Sequence, residues 1–284
     1  MSESEQTTKS GKAKVLSLSQ LLAKKFTFLE GLPDKILASF GKLTRNFILI
    51  IYGASGNGKT NAILELLKAL MPFGPILYIS FEEGHEASMQ ATAIRHLAGL
   101  PDANIRFADH TMGFSQLVTR LRKQKSEQFI VIDSIQYTGW SIKQYQILKE
   151  QFGHRKTFIF ISHSEGKSPD GKVAKKIEYD ATIKVRVEGY IAFIRGRLGG
   201  NKPFLIWEEG ARKYWGKDYE KKMEISKTKK NTKQKNEKTD TDTPENAGRN
   251  NPGVRIGAEA DTGGLAEVGA ECDTDRLAME PGAD

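Results

Sequence analysis

The octapeptide Gly53-Ala54-Ser55-Gly56-Asn57-Gly58-Lys59-Thr60 constrains this chain more than any other feature. It satisfies G-x-x-x-x-G-K-[ST], and its flanks give that pattern structural meaning. Residues 47–52 (FILIIY) before it form an unbroken apolar run, as in a strand buried on both faces of a parallel sheet. Residues 61–70 after it carry apolar side chains at helical spacing and stop at Met71-Pro72. A glycine-rich turn from strand to helix lets successive backbone N–H groups converge on phosphate oxygens. The helix adds roughly half a positive charge at its N-terminus. Lys59 is then placed to reach the β- and γ-phosphates of ATP, and the Thr60 hydroxyl to bind Mg²⁺. Gly53, Ala54, Ser55, Gly56, Asn57, Gly58, Lys59, Thr60 and Asn61 are the expected nucleotide-binding residues.

The same rhythm continues downstream. Strands are expected at 76–81, 105–108, 129–133 and 157–162, and helices at 86–97, 114–125 and 142–152. Strands separated by helices indicate βαβ units and a mainly parallel sheet. After Ile177 the rhythm changes. Residues 182–187, 190–195 and 204–207 read as strands joined by short Gly- or Pro-bearing connections, an antiparallel extension of that sheet. The expected fold is therefore α/β, a parallel sheet flanked by helices and extended by hairpins. An amphipathic segment at 16–29 precedes it.

The apolar residues concentrate between about 26 and 215, which suits one domain. Residues 1–13 are polar and read as a disordered lead, 14–216 as the core. From 217 the composition turns to Lys, Thr, Asn, Glu, Gly and Asp, too few apolar residues to offset the entropy of ordering, so 217–284 is expected to be a disordered tail. Net charge is +8, unevenly spread: residues 217–238 hold nine lysines against four acids, whereas 240–284 hold eleven acids against three arginines. The basic excess is compatible with a polyanionic partner or with a solvated surface. The single cysteine, Cys272, excludes an internal disulfide framework and a cysteine zinc site. With no apolar run long enough for a membrane span and no secretory pattern, a cytoplasmic location is expected.

The run at 129–133 (FIVID) ends in Asp133, a carboxylate at the edge of a sheet where α/β proteins bind ligands. This is the Walker B pattern, and it makes Asp133 the second candidate for holding Mg²⁺.

Taken in order, these motifs resemble the RecA-like P-loop ATPase core of the DnaB-type helicases and the RadA/Sms and KaiC-like proteins, over about residues 26–215. GASGNGKT is the first, followed by YISFEEG (78–84), VIDSIQ (131–136), ISHSEG (161–166) and IRGRLGG (194–200). The resemblance implies a catalytic glutamate at Glu82, with Glu83 as its rival, and a γ-phosphate sensor at His163. It implies that Arg195 and Arg197 are cationic fingers reaching a neighbouring subunit's nucleotide, Arg195 standing where the family has lysine. The expected partners are copies of the chain itself, in a ring or filament, and single-stranded DNA.

In such proteins the loops after the Walker B and sensor strands face nucleic acid. Here these are 134–140, with Gln136, Tyr137 and Trp140, and a mobile, lysine-bearing loop from Ser164 that runs on to Lys175 and Lys176. Tyr137 and Trp140 are candidates to stack on bases or to pack within the protein. The zinc module, protease-like domain and helical N-terminal domain of particular members have no counterpart, so a minimal single-core member is expected. A second reading, an ATP-gated interaction protein with slow turnover, stays open.

Overall fold

The computed structural model describes residues 15–100 and 104–224. Of the sequence expectations, the 1–13 lead, Cys272 and the acidic stretch lie outside them. Two helices come first, α1 (Leu18–Leu22) and α2 (Asp34–Phe40), then β1 (Ile48–Tyr52) and α3 (Lys59–Leu70). There follow β2 (Ile76–Ser80), α4 (Ala87–Leu97), β3 (Ile105–Asp109), α5 (Phe114–Arg122), β4 (Phe129–Asp133), α6 (Ile142–Phe152) and β5 (Thr157–Ser162). A ribbon, β6 (Ser164–Glu165) and β7 (Ser168–Pro169), leads into α7 (Lys172–Asp180). The chain closes with β8 (Ile183–Glu188), β9 (Ile191–Gly196), β10 (Phe204–Leu205), α8 (Glu208–Trp215) and α9 (Tyr219–Glu224).

Eight strands form one sheet in the order β10-β9-β8-β1-β5-β4-β2-β3. Every pairing from β8 to β3 is parallel, and β9 alone runs against the rest, so the expected parallel sheet with an antiparallel extension is what forms. β1 shows why the unbroken apolar run was needed. Leu49 and Ile51 point into the core beneath α2 and α3, while Ile48, Ile50 and Tyr52 point into the core beneath α5, α6 and α7. Strands β2, β4 and β5 are buried along their whole length in the same way.

Four expectations need correction. The segment after Ser164 is not a loose loop: it is the β6–β7 ribbon followed by α7, whose Ala174 and Ile177 are buried against the sheet. Residues 204–207 yield only a two-residue strand, and Trp207 caps α8 instead. Ordered structure passes the expected boundary at 216, because α9 buries Tyr219 with Ile191 and Ala211 in a third apolar cluster. The amphipathic segment at 16–29 forms only the five-residue α1, with none of its side chains buried. Among the described residues no helix is long and apolar enough to cross a membrane.

Tyr219 carries the last helix. It is 5% exposed, and the Arg212 guanidinium lies 4.2 Å from its ring centre. Tyr219→Ala should therefore destabilise the protein by about 2–4 kcal/mol in urea unfolding. Lys222→Ala, which removes only a cation over the Trp215 ring, should cost less than about 1 kcal/mol.

Candidate functional site

In the sheet order, β1, β5, β4 and β2 are neighbours, and their carboxyl ends open on one crevice. The ends carry, side by side, the phosphate loop, Ser162-His163, Asp133 and Ser80 leading to Glu82. Register keeps them level: Tyr52 lies across from Ser162, and Ser80 from Asp133. The turn after β2 is tied to Asp133 directly, since the Phe81 and Glu82 N–H groups donate to its carbonyl at 2.5 and 3.3 Å.

The phosphate loop owes its shape to two glycines. A Cβ on Gly53 would sit 2.3 Å from the Val187 carbonyl oxygen, so only glycine lets the chain pass β8 there. Gly58 is left-handed (φ 90°) as it enters α3, a conformation that side chains resist. Asn57 then locks the loop. Its amide nitrogen donates to the Ala54 and Ser55 carbonyls, and its oxygen accepts from the Gly189 N–H at 2.8 Å. Gly189 and Tyr190, both at positive φ, form the two-residue turn of the β8–β9 hairpin, which thus braces the loop. Tyr190 packs edge-on to Trp207, with ring centres 5.0 Å apart.

Lys59 folds over the loop to donate to the Ala54 carbonyl at 3.1 Å. Burial holds its ammonium below the usual lysine range, opposed by the charges of Asp133 and Glu82, which both lie close. Asp133 is 7% exposed, and burial pushes its carboxyl from 3.8 up to about 6. The Tyr78 hydroxyl, donating to Asp133 Oδ2, pulls the other way, and the Glu82 charge adds to the rise. Glu82 also meets His163, Nε2 to Oε2 at 3.3 Å. Glu83 is close enough for its charge to add to the rise at Asp133 as well, while its carboxylate accepts from the Ser88 hydroxyl at 2.8 Å. Asn61, the third residue of α3, contacts His96 Nε2 at 3.1 Å.

The crevice thus gathers Gly53 to Asn61, Asp133, Glu82 and His163. Arg195 and Arg197 are elsewhere. Arg195 is opposite Lys184, which is level with Ile50 midway along β1, and Arg197 lies beyond the end of β9, its N–H bonded to the Thr182 carbonyl at 3.2 Å. Both belong to the half of the sheet away from the chain's own phosphate loop, and both are exposed.

Of the two aromatic residues that could stack on bases or pack within the protein, one is inside. Trp140 is 8% exposed and packs edge-on against Phe81 and Phe114, so the core claims it; Tyr137, 57% exposed, remains at the surface. Gln136 faces inward. Its amide donates to Ser162 Oγ and the Asp170 carbonyl at 2.8 and 2.9 Å, and accepts from the His163 N–H at 3.2 Å. Tyr78 was missed altogether; the only signal was a phenol in an otherwise aliphatic run.

No protein-family model matches the sequence, and no curated protein matches it. Among solved structures the chain is similar to the flagellar accessory protein FlaH from Methanocaldococcus jannaschii, with 15% identity, a TM-score of 0.45, and coverage of 61% of this chain and 88% of that one. It is similar too to the KaiC-like protein PH0186 from Pyrococcus horikoshii OT3, with 17% identity, a TM-score of 0.46, and coverage of 61% and 89%. The fold itself is α/β, a mainly parallel sheet flanked by helices, with the phosphate loop leaving central β1.

The raised Asp133 value has a consequence for stability. A folded-state value above the unfolded one favours the protonated carboxyl, so this contribution is full below about pH 4 and lost as pH rises through 6. Asp133→Asn should remove that slope and raise stability at pH 7 by roughly 1–3 kcal/mol. Urea denaturation at several pH values between 4 and 7 checks it.

Proposed function

We propose that this protein is a Mg²⁺-dependent ATP hydrolase whose nucleotide site is shared between copies, and that the assembly acts on single-stranded DNA as a translocase, helicase or remodelling factor. The observation that carries the reading is the meeting of Lys59, Asp133 and Glu82 at one sheet edge, close enough for their charges to act on one another. The loop's N–H groups and Lys59 bind the phosphates. The donors for a metal fit as well: the Thr60 hydroxyl and the Asp133 carboxylate are hard oxygen ligands of the kind Mg²⁺ prefers, and would hold it. When bound, Mg²⁺ neutralises charge developing on the phosphate oxygens. Glu82 accepts the proton of the attacking water, and His163 beside it orients that carboxylate. Glu83, engaged by Ser88, is the weaker candidate base.

The placement of Arg195 and Arg197 supports a shared site. Arg195 lies directly across from Lys184, and like charges in that position repel. Among the described residues neither cation has an acidic partner within salt-bridge distance. An anion from outside relieves the repulsion, and a neighbour's nucleotide is such an anion. For DNA, the supporting surface is Tyr137 with exposed Lys167 and Lys172, which Gln136 connects to the sensor strand.

Specific observations favour the second reading, an ATP-gated interaction protein. Trp140 is in the core, and Lys175 and Lys176 are paired with Glu165 and Asp180 at 3.2 and 3.3 Å, which shortens the roster of DNA contacts.

The two separate in one assay. A DNA-acting enzyme shows ATP hydrolysis stimulated by single-stranded DNA, with stimulation falling steeply as salt rises, and its mass in ATP exceeds that of the monomer. Lys59→Ala should abolish hydrolysis. Assembly in ATP without any DNA response supports the gated protein, and a monomer in all states removes the shared site.

A further inference from the structure

We propose that Tyr78 is a positioning residue for magnesium, holding the Asp133 carboxylate through its hydroxyl. This rests on the Mg²⁺–ATP reading above. Tyr78 sits in the middle of β2 with no exposed surface, its ring packed against Phe107 with centres 5.5 Å apart. Aliphatic neighbours flank it on the strand, and a phenylalanine would satisfy that packing. A tyrosine there buries a hydroxyl, which is costly unless the hydroxyl is hydrogen-bonded.

Its partner is a candidate metal ligand: the hydroxyl donates to Asp133 Oδ2, which leaves Oδ1 of that carboxylate free of the phenol. The arrangement has a competitor close by, because Lys59 is near enough for its charge to act on Asp133. Without the phenol, Asp133 is free to turn to that ammonium. Tyr78 therefore does for this oxygen ligand what outer-shell partners do at metal sites generally.

The test is the binding of a fluorescent ADP analogue, measured in EDTA and across a Mg²⁺ titration. In EDTA, Tyr78→Phe should bind it as the wild type does, which also reports that the variant is folded. The Mg²⁺ concentration that half-saturates the metal-dependent tightening should rise roughly 10–100-fold. In an Asp133→Asn background Tyr78→Phe should add nothing further, because its route through the carboxylate is already gone. An unchanged Mg²⁺ requirement overturns the assignment, as does an equal loss in EDTA or in the Asp133→Asn background. A wild-type protein whose analogue binding ignores Mg²⁺ removes the metal reading itself, and this assignment with it.

Discussion

Strands buried on both faces leave polar side chains almost nowhere to go but the strand ends. In β1, β2, β4 and β5 that constraint gathers the chemistry at one edge: the phosphate loop, Glu82, Asp133 and His163 each follow or end a buried run. The same burial that holds the sheet together takes Asp133 out of water and lifts its carboxyl toward neutral pH. Fold stability and site electrostatics here share one cause. Tyr78 is the instructive exception, a polar group inside a buried strand whose hydroxyl reaches the very carboxylate that the strand ends present.

The parts of the fold that the sequence disclosed are those governed by this constraint. FILIIY, FIVID and TFIFIS admit few structures other than central parallel strands, and observed β1, β4 and β5 fall within a residue of the expected bounds. Elements whose burial is one-sided and slight were harder to see. Helix α7 begins after a Gly- and Pro-bearing stretch rich in lysine, and its fully buried residues are only Ala174 and Ile177. Helix α9 fully buries only Tyr219, with Met223 packed partly beside it, in a stretch whose lysines dominate its composition.

For the candidate site, motif spacing selected Lys59, Glu82, Asp133 and His163, which the strand ends bring near one another, and Arg195 and Arg197, which lie away from them. Long-range partners left no comparable trace. Nothing in VIDSIQ tells that Gln136 turns inward to the Asp170 carbonyl, or that Trp140 is claimed by Phe81 and Phe114. Nor does spacing reveal that Asn57 is fastened to the β8–β9 hairpin, so that the phosphate loop and the strand bearing Arg195 are mechanically joined.

That join would give the proposed shared site a physical form. Each copy would offer a phosphate loop at one end of the sheet and, on the strand continuing from the brace of that loop, the exposed pair Arg195 and Arg197 at the other. The most direct measurement mixes two variants that the account expects to be inactive alone, Lys59→Ala and the double variant Arg195→Ala with Arg197→Ala, and follows ATP hydrolysis. A site shared between copies predicts that the mixture regains activity, since intact loops then abut intact arginines. Activity that stays at the level of the separate variants, in a mixture shown to co-assemble, would contradict it.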